Sequence, residues 1–177
     1  MIILKTFRLS GLAKESIVDG LGLRYVVFAQ GCSHKCDGCH NPQTHNYFAG
    51  EEYTVMTVFQ DIKRNPLLKG VTFSGGEPMD QSQAFLELAK LVKDIGLDIW
   101  CFTGYTLEEI LESKDQYKIE LVKYIDVLVD GKFIKDKKTI EKPFVGSSNQ
   151  RIIDIKASMN GIVSEINYRS PQEITLL

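Results

Sequence analysis

No stretch of this sequence strings together the ~20 apolar residues that a bilayer-spanning helix requires, so no membrane is expected as a partner. A basic excess is missing as well: 21 Lys and Arg stand against 23 Asp and Glu, a formal net charge of −2. Domains that grip nucleic acid are usually strongly basic, and no nucleic-acid partner is expected either. The Lys132–Lys138 run is broken by Phe133, Ile134 and Asp136 and reads as a solvated face, Lys132 excepted. Met1–Leu4 is followed at once by Lys5, which argues against a secretory leader. Internal repeats, low-complexity tracts and dividing linkers are lacking too, so the 177 residues read as one domain, 1–177, with mass enough for a real core.

Cysteine is scarce, and its layout says more than its number. Three of the four cysteines, Cys32, Cys36 and Cys39, crowd into one short loop. That is a poor disulfide scaffold and a good soft-metal site, and it places the chain in the reducing cytoplasm. Cys101, between Trp100 and Phe102, reads as a buried core thiol.

What is present reads as strands alternating with helices. Arg24–Ala29, Gly70–Ser74, Asp98–Thr103 and Tyr124–Val129 are short apolar stretches ending close to glycine, and Arg151–Ile155 looks like a fifth. Thr54 is placed to cap a helix reaching about Arg64. Asp80 is placed to cap another, in which Phe85, Leu88, Leu91, Val92 and Ile95 recur at helical spacing before Gly96. Thr106 to Glu109 has the capping-box pattern, and Gln116 to Lys123 suggests a further short helix. The alternation predicts an α/β fold with a mostly parallel sheet. A closed barrel of eight such units typically takes ~250 residues, so a partial, laterally open (β/α) barrel is expected. In such folds the working residues collect at the carboxyl ends of the strands. That rule selects the Cys32 loop, Ser74 to Glu77, Thr103-Gly104 and Asp130 to Lys132.

Thiolates at spacings of three and then two intervening residues suit zinc or an iron–sulfur cluster. His34, His40 or His45 could complete a zinc site, but structural zinc usually takes two separated ligand pairs and there is no second pair. The Cys32-x3-Cys36-x2-Cys39 spacing resembles the radical S-adenosylmethionine superfamily. The resemblance implies a 4Fe-4S cluster on Cys32, Cys36 and Cys39, with one iron open for S-adenosylmethionine. Gly38 stands where that superfamily often has an aromatic residue near the adenine; either His40 supplies a flat group, or backbone around Gly38 makes the contact. Ser74-Gly75-Gly76-Glu77, after the second strand, resembles the motif that holds the cofactor's amino group. Asp130 and Lys132 match an Asp-x-Lys that approaches ribose and carboxylate in related activases, and Thr103 is a further candidate.

Two more stretches narrow the resemblance. Ser16 to Arg24 is similar to the opening of the glycyl-radical activases, with Leu21 in place of a proline. Gly146-Ser-Ser-Asn-Gln-Arg151 resembles the C-terminal signature of the activating proteins of anaerobic ribonucleoside-triphosphate reductases. Membership implies a one-electron donor such as flavodoxin, reductive cleavage of S-adenosylmethionine, and hydrogen abstraction from a glycine on the large reductase subunit. Two alternatives stay open on sequence: a short radical enzyme acting on a small molecule, such as a deazapurine synthase, and a non-catalytic zinc-binding module.

Overall fold

The computed structural model describes residues 5–158 and 161–168; the Met1–Leu4 stretch lies outside them. Among the described residues, seven strands form one sheet in the order β3-β1-β2-β4-β5-β6-β7. Its centre is the expected parallel set: β2 (Arg24–Ala29), β4 (Gly70–Gly75), β5 (Asp98–Phe102) and β6 (Val127–Asp130). These strands align in register, Arg24 opposite Gly70 and Gly70 opposite Asp98. Their carboxyl ends therefore finish side by side, on one edge of the fold.

The flanks correct the expectation of a mostly parallel sheet. β1 (Thr6–Ser16) pairs antiparallel with β2 and with β3 (Glu51–Thr54), and β7 (Arg151–Asp154) pairs antiparallel with β6. Three of the six pairings are parallel and three are not. For β1 and β2 the physical reason lies in the connection. A parallel return needs a crossover of a dozen or more residues, usually a helix, and β1 reaches β2 through seven residues, 17–23. The sheet is open, with β3 and β7 at its two edges, so the architecture is mixed α/β.

The helices stand much where periodicity places them. Thr54 caps α1 (Val55–Ile62) by accepting from the Thr57 N–H, and Thr106 with Glu109 completes a capping box on α3 (Leu107–Glu112). α4 spans Gln116–Val122, and α5 (Ile155–Ser158) is a single turn after β7. α2 (Ser82–Asp94) starts later than expected, behind a 3-10 turn at Pro78–Gln81, because Asp80 spends its carboxylate elsewhere. Tyr124 to Asp126 form a turn rather than the start of β6.

Strand side chains alternate between two unlike faces. Val27, Val71, Phe73, Ile99, Cys101 and Leu128 pack with the helices in the main core. Trp100, Val129 and Ile152 point the other way, where Leu21, Phe144, Val145 and Tyr168 cover them. No helix of the described residues is long and apolar enough to cross a membrane.

Candidate iron–sulfur and cofactor site

A cleft of about 320 Å³ opens at the carboxyl ends of the parallel strands. Cys32, Cys36 and Cys39 line it together with His40, Ser74, Gly75, Gly76, Glu77 and Thr103. Nine of the residues singled out from sequence thus meet in one place. A larger hollow, about 810 Å³ between β1 and α1, holds no cysteine or histidine and is far less suited to metal chemistry.

The cysteine loop leaves β2 and is bolted down by two carboxylates from the segment after β4. Glu77 is fully buried. Its Oε1 accepts from the Met79 N–H at 2.9 Å and from Thr103 Oγ1 at 2.8 Å; its Oε2 accepts from the Gly104 N–H at 2.8 Å and pairs with His34 Nε2 at 2.9 Å. A carboxylate presents about four lone-pair positions, and protein donors meet all of them. Glu77 thereby ties together the ends of β4 and β5 and the cysteine loop, and any cofactor ammonium has to share an oxygen with one of these donors. A Cβ at Gly104 would lie 2.3 Å from the His34 ring, so this clamp needs glycine there.

Asp80 is the second bolt. It accepts from the Ser33 N–H at 3.0 Å and from the hydroxyls of Tyr105, at 3.0 Å, and Tyr47. Burial alone would raise its pKa, but the hydrogen bonds from Tyr47, Ser33 and Tyr105 outweigh it and hold the carboxylate below its ordinary value. Those partners explain why Asp80 does not cap α2.

The donor set fits an iron–sulfur cluster. Burial pushes the Cys32 thiol up, and burial does the same to Cys36, so as thiolates both require neighbouring positive charge such as bound iron. Backbone N–H groups are already turned to sulfur: His34 and Lys35 towards Cys32, Phe133 towards Cys36, and Asn41 to Cys39 Sγ at 3.3 Å. Such bonds tune cluster potentials. Among the described residues, no three Cys, His, Asp or Glu side chains converge on a point that could hold a single ion. Burial raises Cys101 strongly as well, but it packs in the helix-side core away from the cleft.

The remaining candidates fall outside the lining. Gly38 sits behind the loop, against Phe133 and Lys135. Asp130 is buried in an ion-pair network, accepting from Arg151 Nε at 3.0 Å and from the Leu107 N–H at 2.8 Å. Lys132 is exposed, and its carbonyl accepts from Asn149 Nδ2 at 2.9 Å. Residues not anticipated include His34 as the partner of Glu77, Asp80 as a loop bolt, and Phe133 and Gln150 in the lining. The signal for Phe133 was present: an aromatic residue in a lysine run has reason to turn inward.

Residues 18–153 match the family described as a 4Fe-4S single cluster domain. The chain is 39% identical over 144 residues to the anaerobic ribonucleoside-triphosphate reductase-activating protein of Vibrio cholerae, covering 77% of this chain and 90% of that protein. It belongs to this family of activating proteins. The protein of the same name from Enterobacteria phage T4 is 37% identical over 76% of this chain and 86% of its own length. That of Escherichia coli (strain K12) is 36% identical over 76% and 90%. A solved structure, QueE from Escherichia coli, overlaps 57% of this chain and 53% of its own at 17% identity with a TM-score of 0.46, which is too slight a likeness to speak for the fold or the activity. The activating-protein cleft is thus the 4Fe-4S domain's cysteine loop laid against the ends of β4 and β5.

Proposed function

We propose that this activating protein holds a 4Fe-4S cluster on Cys32, Cys36 and Cys39, binds S-adenosylmethionine beside it, and installs a glycyl radical on the large subunit of an anaerobic ribonucleoside-triphosphate reductase. The observation that carries this reading is the three-cysteine loop at the strand ends in a chain of this family. Held on Cys32, Cys36 and Cys39, the cluster would supply the single electron for reductive cleavage of S-adenosylmethionine, with methionine as the leaving group and hydrogen abstraction from a glycine α-carbon of the partner as the outcome. The cofactor carries that chemistry, while the protein contributes binding, orientation and exclusion of water.

This chain's own residues act in three ways. Glu77 and Asp80 fix the sulfur ligands against the sheet through His34 and Ser33. Ser74, Gly75, Gly76 and Thr103 form the polar wall on which the methionyl end rests. The open sheet, serving in this reading as a laterally open partial barrel would, leaves room for a folded partner to present a backbone glycine. In this reading residues 1–177 act as one domain in the cytoplasm, with a one-electron donor such as a flavodoxin. Asp130 and Lys132 shape the β6 end from outside the cleft.

The test is anaerobic incubation with the reductase, a reductant and S-adenosylmethionine. A glycine-centred radical signal on the reductase is expected, and its absence from protein with a full cluster would sink the activase reading. Colourless anaerobic protein containing zinc without iron or sulfide would remove the cluster itself.

A further inference from the structure

The cleft is lined by two unlike kinds of side chain. Its lining includes a polar set, Ser74 to Glu77 with Thr103 and Gly104, and aromatic side chains, of which Phe133 and His40 stand together. Phe133 lines the cleft alongside the three cysteines. Its ring lies 5.0 Å from that of His40, tilted by 48°. It also covers Gly38, where a Cβ would lie 3.5 Å from the phenyl ring.

Phe133 sits in the loop after β6, which has no regular structure of its own before the 3-10 turn at Lys135–Lys137. Gln150 supplies the missing order. Its Oε1 accepts from the N–H groups of Gly146, at 2.8 Å, and Ser147, at 3.1 Å, while its Nε2 donates to Gly131 O at 2.9 Å. The turn folded around Gln150 reaches further along the same loop: Ser147 Oγ accepts from the Ile134 N–H at 3.1 Å. The loop is thus held on both sides of Phe133. Gly146 closes the arrangement, because a Cβ there would lie 3.0 Å from the Phe133 ring and 3.1 Å from His40.

We propose that Gln150 is a positioning residue that holds Phe133 as a fixed aromatic wall for the purine end of S-adenosylmethionine. The proposal rests on the cofactor reading above. A ligand with a charged amino-acid end and a flat heteroaromatic end is suited to such a lining with its charged end on the polar residues and the purine against the phenyl face. Base–aromatic stacking is lost on alanine substitution, and an aromatic ring already held in place binds without an ordering cost. The Gly146-Ser-Ser-Asn-Gln150 stretch thereby acquires a physical role, bracing the loop that carries the ring.

The test measures binding to anaerobically reconstituted protein with S-adenosylmethionine, methionine and 5′-deoxyadenosine as separate probes. Phe133→Ala is expected to weaken S-adenosylmethionine and 5′-deoxyadenosine by roughly tenfold and to leave methionine unchanged, while Phe133→Tyr restores binding. Gln150→Ala is expected to weaken the same two probes. The double variant should bind no worse than Phe133→Ala, because Gln150 acts through that ring. Iron content and melting temperature accompany each variant; where Phe133→Ala fails to load iron, Phe133→Leu keeps the bulk without the flat face and is read instead. Binding of 5′-deoxyadenosine unchanged in the Phe133 variants, equal loss of methionine, or losses that multiply in the double variant each overturn the proposal. Failure of the iron-loaded natural protein to bind S-adenosylmethionine overturns the cofactor reading, and this inference with it.

Discussion

The two ends of the parallel strands each bury an ion, and they neutralise it in opposite ways. At the amino ends Arg24 is fully buried and meets a formal countercharge, Asp98, at 2.6 Å. It also donates to Thr72 Oγ1, Leu21 O and Val71 O, and its guanidinium lies 5.5 Å from the Trp100 ring. At the carboxyl ends Glu77 is equally buried but is met by two backbone N–H groups, a hydroxyl and a histidine. The first arrangement closes on itself and staples strand starts together. The second spreads its bonds over separate loops, so it positions sulfur ligands as well as stabilising. Stability is concentrated at one end of the sheet and chemistry at the other, as expected where the strand ends carry function.

The largest effect that separates the ends is on chemistry. Cys39→Ala is expected to abolish S-adenosylmethionine cleavage, with iron content falling alongside. Cys101→Ser should retain most of it, because that thiol belongs to the helix-side core. Product analysis for 5′-deoxyadenosine decides both, and a dead Cys101 variant with native melting behaviour would show that the core thiol reaches the cleft.

The next effect is on stability alone. Arg24→Met should lower stability by about 3 kcal/mol, near the bottom of the range for breaking a buried pair, since Asp98 is partly exposed and can be hydrated. Iron per protein should stay at the natural value. Denaturant titration and iron analysis on the same sample check this, and loss of iron from a folded Arg24 variant would erase the contrast between the two ends. Glu77→Gln is the mirror experiment. The new amide turns N–H groups towards N–H donors, so a loss of about 2 kcal/mol should come with weakened iron retention.

Much of this division was legible in the sequence, for identifiable reasons. Cys32, Cys36 and Cys39 carry their chemistry in their spacing, and the parallel strands carry theirs in apolar runs that end at glycine. Thr54 and Thr106 cap helices through contacts three residues away, which local sequence encodes. What escaped depends on partners far along the chain. β1 was not anticipated because Gly11-Leu-Ala-Lys-Glu15 has little strand character and is held by pairing with β2. Asp80 looked like a helix cap until Ser33, Tyr47 and Tyr105, up to 47 residues away, claimed its carboxylate. Asp130, a cofactor candidate on sequence, also accepts from Arg151, a partner 21 residues away that its own strand end does not announce.

The smallest effect tests whether the carboxyl-end rim behaves as a surface ion pair, unlike the buried clamp at Glu77. Arg151 donates to both oxygens of Glu108, at 2.9 and 2.6 Å, and this bond from Arg151 holds the Glu108 carboxyl at a pKa of about 2. In the unfolded chain a glutamate titrates near 4.3. The folded value is the depressed one, so the unfolded state takes up more protons between these two pKa values. The pair's stabilisation is therefore present in full above pH ~5 and is lost as pH falls towards about 2. Glu108→Gln should be slightly less stable than the natural protein at neutral pH, and the difference should shrink steadily in acid until the two coincide below pH ~2. Because Glu108 is half exposed, added salt should shrink it too. Melting temperatures of both proteins across that range check the sign. A difference independent of pH and salt would mean that Glu108 acts through packing, which would make the rim as insulated from solvent as Glu77.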